Sequence, residues 1–357
     1  MTEKMLYNVS GAPFVRSKTD TSTIMRDVLI ALVPALAVAV WQFGLKALLN
    51  VVVSVVACVA FEYIYRKLMK KHDTIGDLSA CVTGVLMVYC MPVGVSWWMI
   101  VLGAFFAIIV VKQLYGGIGK NFLNPALAGR AFLLSYPVAM TTYAIPSALS
   151  GVVDGETMAT PLSYMYAGEA LPEYFSLGNL FLGGISGCIG EVSALALILG
   201  GAYLLYRKVI SWRIPVTFIG TVAVLTLVFG HEGYGNVEWM LLNLCSGGLM
   251  LGAIFMATDY CTSPVTPNGQ LIFGVGCGIL TVLIRYFGGY AEGVSYAILL
   301  MNLLTWAIDK ATPQTQFGIS KADKKVVEAE KKAEKAAVKA EKLQKQVEKL
   351  HAEGGHK

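Results

Sequence analysis

Apolar residues run along this chain in long blocks separated by short polar loops. Ten blocks stand out, at residues 28–43, 48–65, 78–91, 97–114, 122–136, 177–206, 214–229, 239–257, 271–287 and 294–308. A helix rising 1.5 Å per residue needs roughly 20 apolar residues to cross about 30 Å of hydrocarbon. The pattern therefore predicts an all-α polytopic membrane protein with about ten transmembrane helices. Two of the blocks are interrupted by glycine, at residues 183–190 and at Ser246-Gly247-Gly248 with Gly252. Such stretches predict broken or re-entrant helices, tolerated at membrane depth only where protein satisfies the freed backbone.

A faint internal repeat organises the blocks. Pro92-Val93 and Gly116-Gly117 recur as Pro264-Val265 and Gly288-Gly289, both shifted by the same interval. Five spans per half would place the two copies in opposite orientations, as two inverted repeats. The expected organisation is an N-terminal arm at 1–24, a first five-helix repeat at 25–136, a polar loop at 137–176, a second repeat at 177–309 and a charged tail at 310–357. In the tail, Val326, Ala329, Ala333, Ala336, Ala340, Leu343, Val347 and Leu350 step by three and four between Lys and Glu. Alanine at half of these positions is weak coiled-coil glue, so a solvated helix is expected.

Charge orients the stack. The chain is 56% hydrophobic and 14% charged, with mean hydropathy +0.62, outside the range of soluble domains. The formal net charge of +5 lies mostly in the Lys-rich tail, and it implies no nucleic-acid partner. Arg16, Lys18 and Arg26 flank a first span that is expected to be retained and not cleaved as a signal. Basic residues also cluster at 66–71, 112–120 and 207–213. The positive-inside rule makes these loops and both termini cytoplasmic, in a prokaryotic cell membrane. The loop at 137–176 then falls on the outer face; it holds no Lys or Arg but carries Asp154, Glu156, Glu169 and Glu173.

Candidate chemistry is sparse. The seven cysteines never take CxxC spacing and read as small apolar helix residues, with an iron–sulfur site shared with another subunit as the alternative. No pair of His suggests haem. Glu191 and Asp259 are carboxylates in or at the ends of apolar runs, where a charge is costly and usually paired or functional. Either is a candidate contact for a transported cation; the plainer readings are a pair between Glu191 and Arg130, and a solvated helix end for Asp259. Lys112 and Arg285 precede the two Gly-Gly pairs and are expected to snorkel to opposite interfaces. Asn121 and Asn124, three apart at a helix start, would share a face and offer amides to a ring system, or would simply cap the helix at Pro125.

The stretch Asp154-Gly155-Glu156-Thr157-Met158-Ala159-Thr160-Pro161-Leu162, taken alone, is a turn-forming segment. It resembles the flavinylation motif, in which Asp, a hydroxyl residue, a small residue, Ala and Thr precede esterification of FMN phosphate to that Thr. On this resemblance Asp154, Thr157 and Ala159 form the motif around Thr160. Met158 stands where the family usually has Gly. The block from Lys112 to Ala126, with Gly116-Gly117 and Asn124-Pro125-Ala126, resembles the Gly-rich turn and Asn-Pro-Ala helix start shared by the D subunits of Rnf electron-transport complexes and the B subunits of sodium-pumping NADH:quinone oxidoreductases. Residues 255–266 and Gly190-Glu191-Val192-Ser193 resemble further family blocks, and the short N-terminal region fits the Rnf branch.

The resemblance implies a flavin-carrying subunit, inactive alone, of a complex that moves electrons between ferredoxin and NAD and pumps Na⁺ or H⁺. It implies covalent FMN on an exposed Thr160 and a noncovalent riboflavin near Asn121 and Asn124. It also implies an extracytoplasmic flavoprotein subunit, integral membrane subunits, cytoplasmic iron–sulfur subunits and a flavin transferase as partners. No dinucleotide-binding fingerprint is present in this chain. The rival expectations are a quinone-reducing homologue and a cofactor-free urea- or ammonium-channel-like transporter.

Overall fold

The computed structural model describes residues 19–147, 157–168, 171–172, 174–231, 233–288, 292–313 and 333. The N-terminal arm through residue 18, Asp154, Glu156, Glu169, Glu173, Gly289 and the heptad positions of the tail other than Ala333 lie outside the described residues. Ser17–Thr312 forms one compact unit.

Among its described residues the regular structure is helical, apart from one two-residue ladder. Helix α1 (Thr21–Phe43) reverses into α2 (Leu45–Leu68) through Gly44 alone, whose φ of 70° is open to glycine without strain. A short 3₁₀ turn (Ile75–Asp77) leads into α3 (Ser79–Tyr89), then α4 (Trp97–Phe105) with a π-helical continuation (Phe106–Gln113), and α5 (Pro125–Leu133). The polar loop holds α6 (Pro137–Thr141), β1 (Tyr143–Ala144), β2 (Thr157–Met158) and α7 (Pro161–Ala167). The second half contains α8 (Leu177–Leu182), α9 (Ala194–Tyr206), α10 (Arg213–Phe229), α11 (Asn236–Cys245), α12 (Leu249–Leu251) with a π-helical continuation (Gly252–Met256), α13 (Pro267–Phe287) and α14 (Val294–Ala311).

Among the described residues α1, α2 and α13 are each long and apolar enough to cross a bilayer, and α11 with α12 and its continuation forms an apolar pair bent by 64°, the shape of a broken span or a re-entrant loop. Helices α3, α4 with its continuation, α9 and α10 are apolar but shorter. One expected span is revised and one expected break is found. Residues 122–136 yield only α5, because Asn124 caps and Pro125 starts the helix. Residues 177–206 divide into α8 and α9, because Gly183 and Gly184 adopt φ of 118° and 120° and end the first helix.

The non-helical backbone of the break is satisfied by protein. Ile189 N–H donates to the Met91 carbonyl at 3.0 Å and Gly190 N–H donates to the Tyr89 carbonyl at 2.9 Å. The stretch after α3 and the stretch before α9 thus complete each other, as membrane depth requires.

The side-chain pattern is that of a membrane body. Small and polar residues face inward, as Asp27, Ala31, Ala35 and Ala39 do on α1, while Ile30, Val33, Leu49, Val52 and Val56 face outward. Trp41, Trp97, Trp98 and Tyr136 are exposed at helix ends, the positions amphipathic rings take at an interface. Helices pack by close approach at small residues, since lipid offers no hydrophobic drive between them. Gly200 of α9 is a case of close approach to another helix's backbone: an added Cβ would collide with the Ala31 carbonyl and lie 3.0 Å from Phe255 Cζ. Gly200→Ala should therefore cost about 1–3 kcal/mol by overpacking, read as a lower thermal midpoint in detergent. Gly220→Ala, with no atom within 4 Å of the new Cβ, should lose nothing in the same assay.

Candidate functional site

Two cavities flank α5. The first has a volume of about 90 Å³ and is lined by Lys112, Asn121, Asn124, Thr258, Asp259 and Phe255, among others. Asn124 is committed at both ends of its amide. Its Oδ1 accepts from the Ala126 and Leu127 N–H groups at 3.0 and 3.3 Å, and its Nδ2 donates to the Met256 carbonyl at 3.2 Å. Asn121 precedes the helix in a turn and donates to the Leu123 carbonyl at 3.1 Å. The two amides therefore share the cavity but not a helix face. Asp259 sits in the turn after the π-helical segment, where Cys261 N–H and the Thr262 hydroxyl donate to its carboxylate at 3.4 and 3.1 Å. Burial pushes its carboxyl above the usual range, and those two donors together with Lys112 pull it back.

Lys112 does not snorkel. It is buried, and its Nζ donates to Glu62 Oε2 at 2.8 Å and to Ser79 Oγ at 2.6 Å. Glu62 is completed by the Thr74 hydroxyl at 2.7 Å. Glu62 escaped the sequence reading, although a single acid inside the apolar run 48–65 is the signal that marks it.

The second cavity, about 150 Å³, is lined by Arg130, Tyr143, Ala159, Thr160, Ser163 and Glu292 with four others. The ladder pairing Tyr143 with Met158 and Ala144 with Thr157 closes the loop and draws out the chain entering Thr160. Met158 takes an ordinary extended conformation there, so the freedom of a glycine is not needed. The Ser186 hydroxyl, from the break before α9, donates to the Ala159 carbonyl at 2.7 Å. Thr160 is buried, contrary to the exposure expected of a loop hydroxyl. It caps α7: its Oγ1 accepts from Ser163 N–H at 3.2 Å and shares a hydrogen bond with Ser163 Oγ at 2.8 Å. Thr157, the first residue of β2, is exposed.

Behind Thr160 lies a buried charge cluster. Arg130 Nη2 pairs with Glu292 Oε2 at 3.1 Å, and Nη1 donates to the Ser295 hydroxyl. Glu292 Oε1 accepts from Gly248 N–H at 2.9 Å, which seats the carboxylate at the start of α12. Arg130 thus pairs with Glu292 in place of the expected Glu191. Glu191 is buried beside both; a Cβ on Gly248 would stand 2.7 Å from its Oε1. Glu191 Oε1 and Arg130 Nε have no hydrogen-bond partner among the described residues. Glu292, an acid immediately before the apolar run 294–308, was a further signal the sequence reading passed over. Arg285 also stays inside: it is 2% exposed and donates to the Asn243 and Ser246 carbonyls.

Helix α5 joins the two places. Asn124, Pro125 and Ala126 line the first cavity, Arg130 and Leu134 the second, so that they stand on the order of 6–15 Å apart along the axis at 1.5 Å per residue. Basic loops gather at the first cavity: the Arg66 guanidinium lies against Gly117, and Val209 and Ile210, next to Arg207 and Lys208, line it beside Ile118. All seven cysteines are free, and no cluster of His, Cys, Asp or Glu able to hold a metal occurs among the described residues.

A helical membrane body with broken crossings, two cavities joined by one short helix and a capped Thr at one of them defines a multi-pass membrane protein built around internal sites. Residues 8–318 match the model of the NQR2, RnfD, RnfE family, and the chain belongs to that family. It is 49% identical over 323 residues to the D subunit of the Na⁺-translocating ferredoxin:NAD⁺ oxidoreductase complex of Acetobacterium woodii, covering 89% of this chain and 97% of that one. It is 44% identical over 324 residues to the D subunit of the proton-translocating ferredoxin:NAD⁺ oxidoreductase complex of Clostridium ljungdahlii, covering 88% and 97%. It is 34% identical over 349 residues to the D subunit of the ion-translocating oxidoreductase complex of Citrobacter koseri, covering 88% and 99%.

Proposed function

We propose that this chain is the flavin-carrying membrane subunit of a complex that couples electron transfer between ferredoxin and NAD to the translocation of Na⁺ or H⁺. In this reading FMN is esterified through its phosphate to Thr160, and riboflavin is held noncovalently in the cavity of Asn121 and Asn124. The flavins supply redox chemistry that amino-acid side chains lack. The observation that carries the reading is the placement of Thr160, the last residue of the Asp154–Thr160 motif, in a cavity with a buried cation, one short helix away from a second cavity.

The residues fit the phosphate end of such a group. Thr160 lines the same space as Arg130 and Ser163; on transfer from a flavin dinucleotide its oxygen would form the new P–O bond as the donor's phosphoanhydride bond breaks, the hydroxyl proton and the nucleoside monophosphate leaving, while Oγ1 keeps acceptor capacity for Ser163 N–H. Burial of Thr160 makes the attachment step depend on local opening of the loop by a flavin transferase. The basic loops around the first cavity support its placement on the cytoplasmic side with both termini, and Thr160 on the outer face. The expected partners are an extracytoplasmic flavoprotein subunit, integral membrane subunits and cytoplasmic iron–sulfur subunits. Glu191 and Asp259 remain the ion-contact candidates, one beside each cavity. The relatives named for Na⁺ and for protons stand at similar identity, so either ion suits the reading.

In-gel fluorescence of the denatured chain, co-produced with its transferase, tests the anchor. The parent should fluoresce and Thr160→Ala should not. A variant band as bright as the parent's would rule Thr160 out.

A further inference from the structure

We propose that Arg130 is the receptor for the phosphodiester anion formed when Thr160 carries its flavin, a role that rests on the reading of Thr160 given above. A flavin phosphate esterified to threonine keeps one ionised oxygen. Placed in a cavity of about 150 Å³ walled by Leu134, Met140 and Tyr143, that charge is largely removed from water and needs a cation or several donors to offset the loss. The loop that carries Thr160 provides none, since residues 137–176 contain no Lys or Arg. Nor does α7 supply a charged side chain among its seven residues.

Arg130 meets the requirement from another element. It reaches the cavity from α5, and it is the one Lys or Arg among the described residues that line it. Arg130 is 6% exposed. Of its five N–H groups, Nη2 serves Glu292 and Nη1 serves Ser295, while Nε has no partner among the described residues. A cation placed solely to neutralise Glu292 would turn its fork fully onto that carboxylate. Here Glu292 receives one guanidinium nitrogen and satisfies its other oxygen with the Gly248 N–H at 2.9 Å. The arrangement leaves Arg130 able to bridge two anions, Glu292 on one side and the phosphodiester on the other. The planar fork suits phosphate oxygens in a way an ammonium does not.

Arg130 is thus a positioning residue: it fixes where the tether leaves Thr160 and so where the ring is carried. The test uses the assembled complex with the flavin attached. Flavin fluorescence anisotropy and quenching by neutral acrylamide are measured for the parent, for Glu292→Gln, for Arg130→Lys and for the double variant Arg130→Met/Glu292→Gln, which removes both buried charges together. The in-gel band should persist in all four, because attachment depends on Thr160. Anisotropy should fall toward the denatured value and quenching should rise in the double variant. Arg130→Lys should lie between that variant and the parent, and Glu292→Gln should stay at the parent level.

A persistent band with parent-like anisotropy in the double variant overturns the role of Arg130 and leaves Thr160 intact. If the double variant does not assemble, Arg130→Lys decides alone, and parent-level anisotropy there overturns the proposal. Equal loosening in Glu292→Gln also overturns it, since the ion pair and not the phosphate contact would then be what matters. No band in the parent overturns the reading of Thr160 and this proposal with it.

Discussion

Glu62→Ala should destabilise the protein by about 3–5 kcal/mol, the cost of stranding one member of a buried ion pair. The Lys112 and Glu62 side chains are 3% and 1% exposed and stand 2.8 Å apart. Ser79 Oγ, the other partner of Lys112, is itself a donor to Asp77, so it cannot neutralise an ammonium left behind. Lys112 also lines the cavity that holds Asn121 and Asn124. Removing both charges is a different experiment. Glu62→Gln with Lys112→Met replaces the pair with neutral groups of similar volume, a change that is often nearly neutral. The double variant should recover most of the lost stability, with a coupling energy well above what distant sites show. Thermal midpoints and the monodisperse fraction in detergent read both. A double variant no more stable than Glu62→Ala would show that the pair is not what holds this region.

The contrast between Glu62 and Glu191 shows how much of the site is legible in a sequence. The apolar blocks, the breaks at Gly183-Gly184 and Ser246-Gly247-Gly248, and the helix start at Asn124-Pro125 all follow from local chemistry: hydrocarbon thickness, glycine conformation and capping. Partners of buried charges do not. Lys112 and Glu62 are 50 positions apart and Arg130 and Glu292 are 162 apart, and which acid meets which base is set by how the broken helices pack. Arg130 has two carboxylates within its reach of influence. Glu292 becomes its partner because Gly248 N–H seats that carboxylate, a backbone contact that no spacing rule encodes. Burial of Thr160 was likewise hidden. The composition of its loop is polar, yet the ladder from Tyr143 to Met158 and the Ser186 contact draw the motif inward.

Arg285→Met should lose on the order of 2–5 kcal/mol, because it uncovers two backbone carbonyls at a cost of about 1–3 kcal/mol each. Helix α11 ends where the bent pair α11–α12 breaks, and its last carbonyls lack donors within the helix. Arg285 comes across from α13 and donates to the Asn243 carbonyl at 2.9 Å and to the Ser246 carbonyl at 3.4 Å. A cation at that end also opposes the negative pole of the half-helix. On the other side of the break, the start of α12 meets the Glu292 carboxylate through Gly248 N–H, so each exposed half-helix end faces a charge of the favourable sign. Arg285 thus covers the end of α11 while Glu292 meets the start of α12, so the two halves of the bend are met by separate side chains. Arg285→Lys keeps the charge but cannot span both carbonyls, and it should fall between the parent and Arg285→Met in thermal midpoint. Protease cleavage within residues 243–248 should rise in the same order. If Arg285→Met melts with the parent and stays uncut, the carbonyls have other donors and the bend does not depend on this side chain.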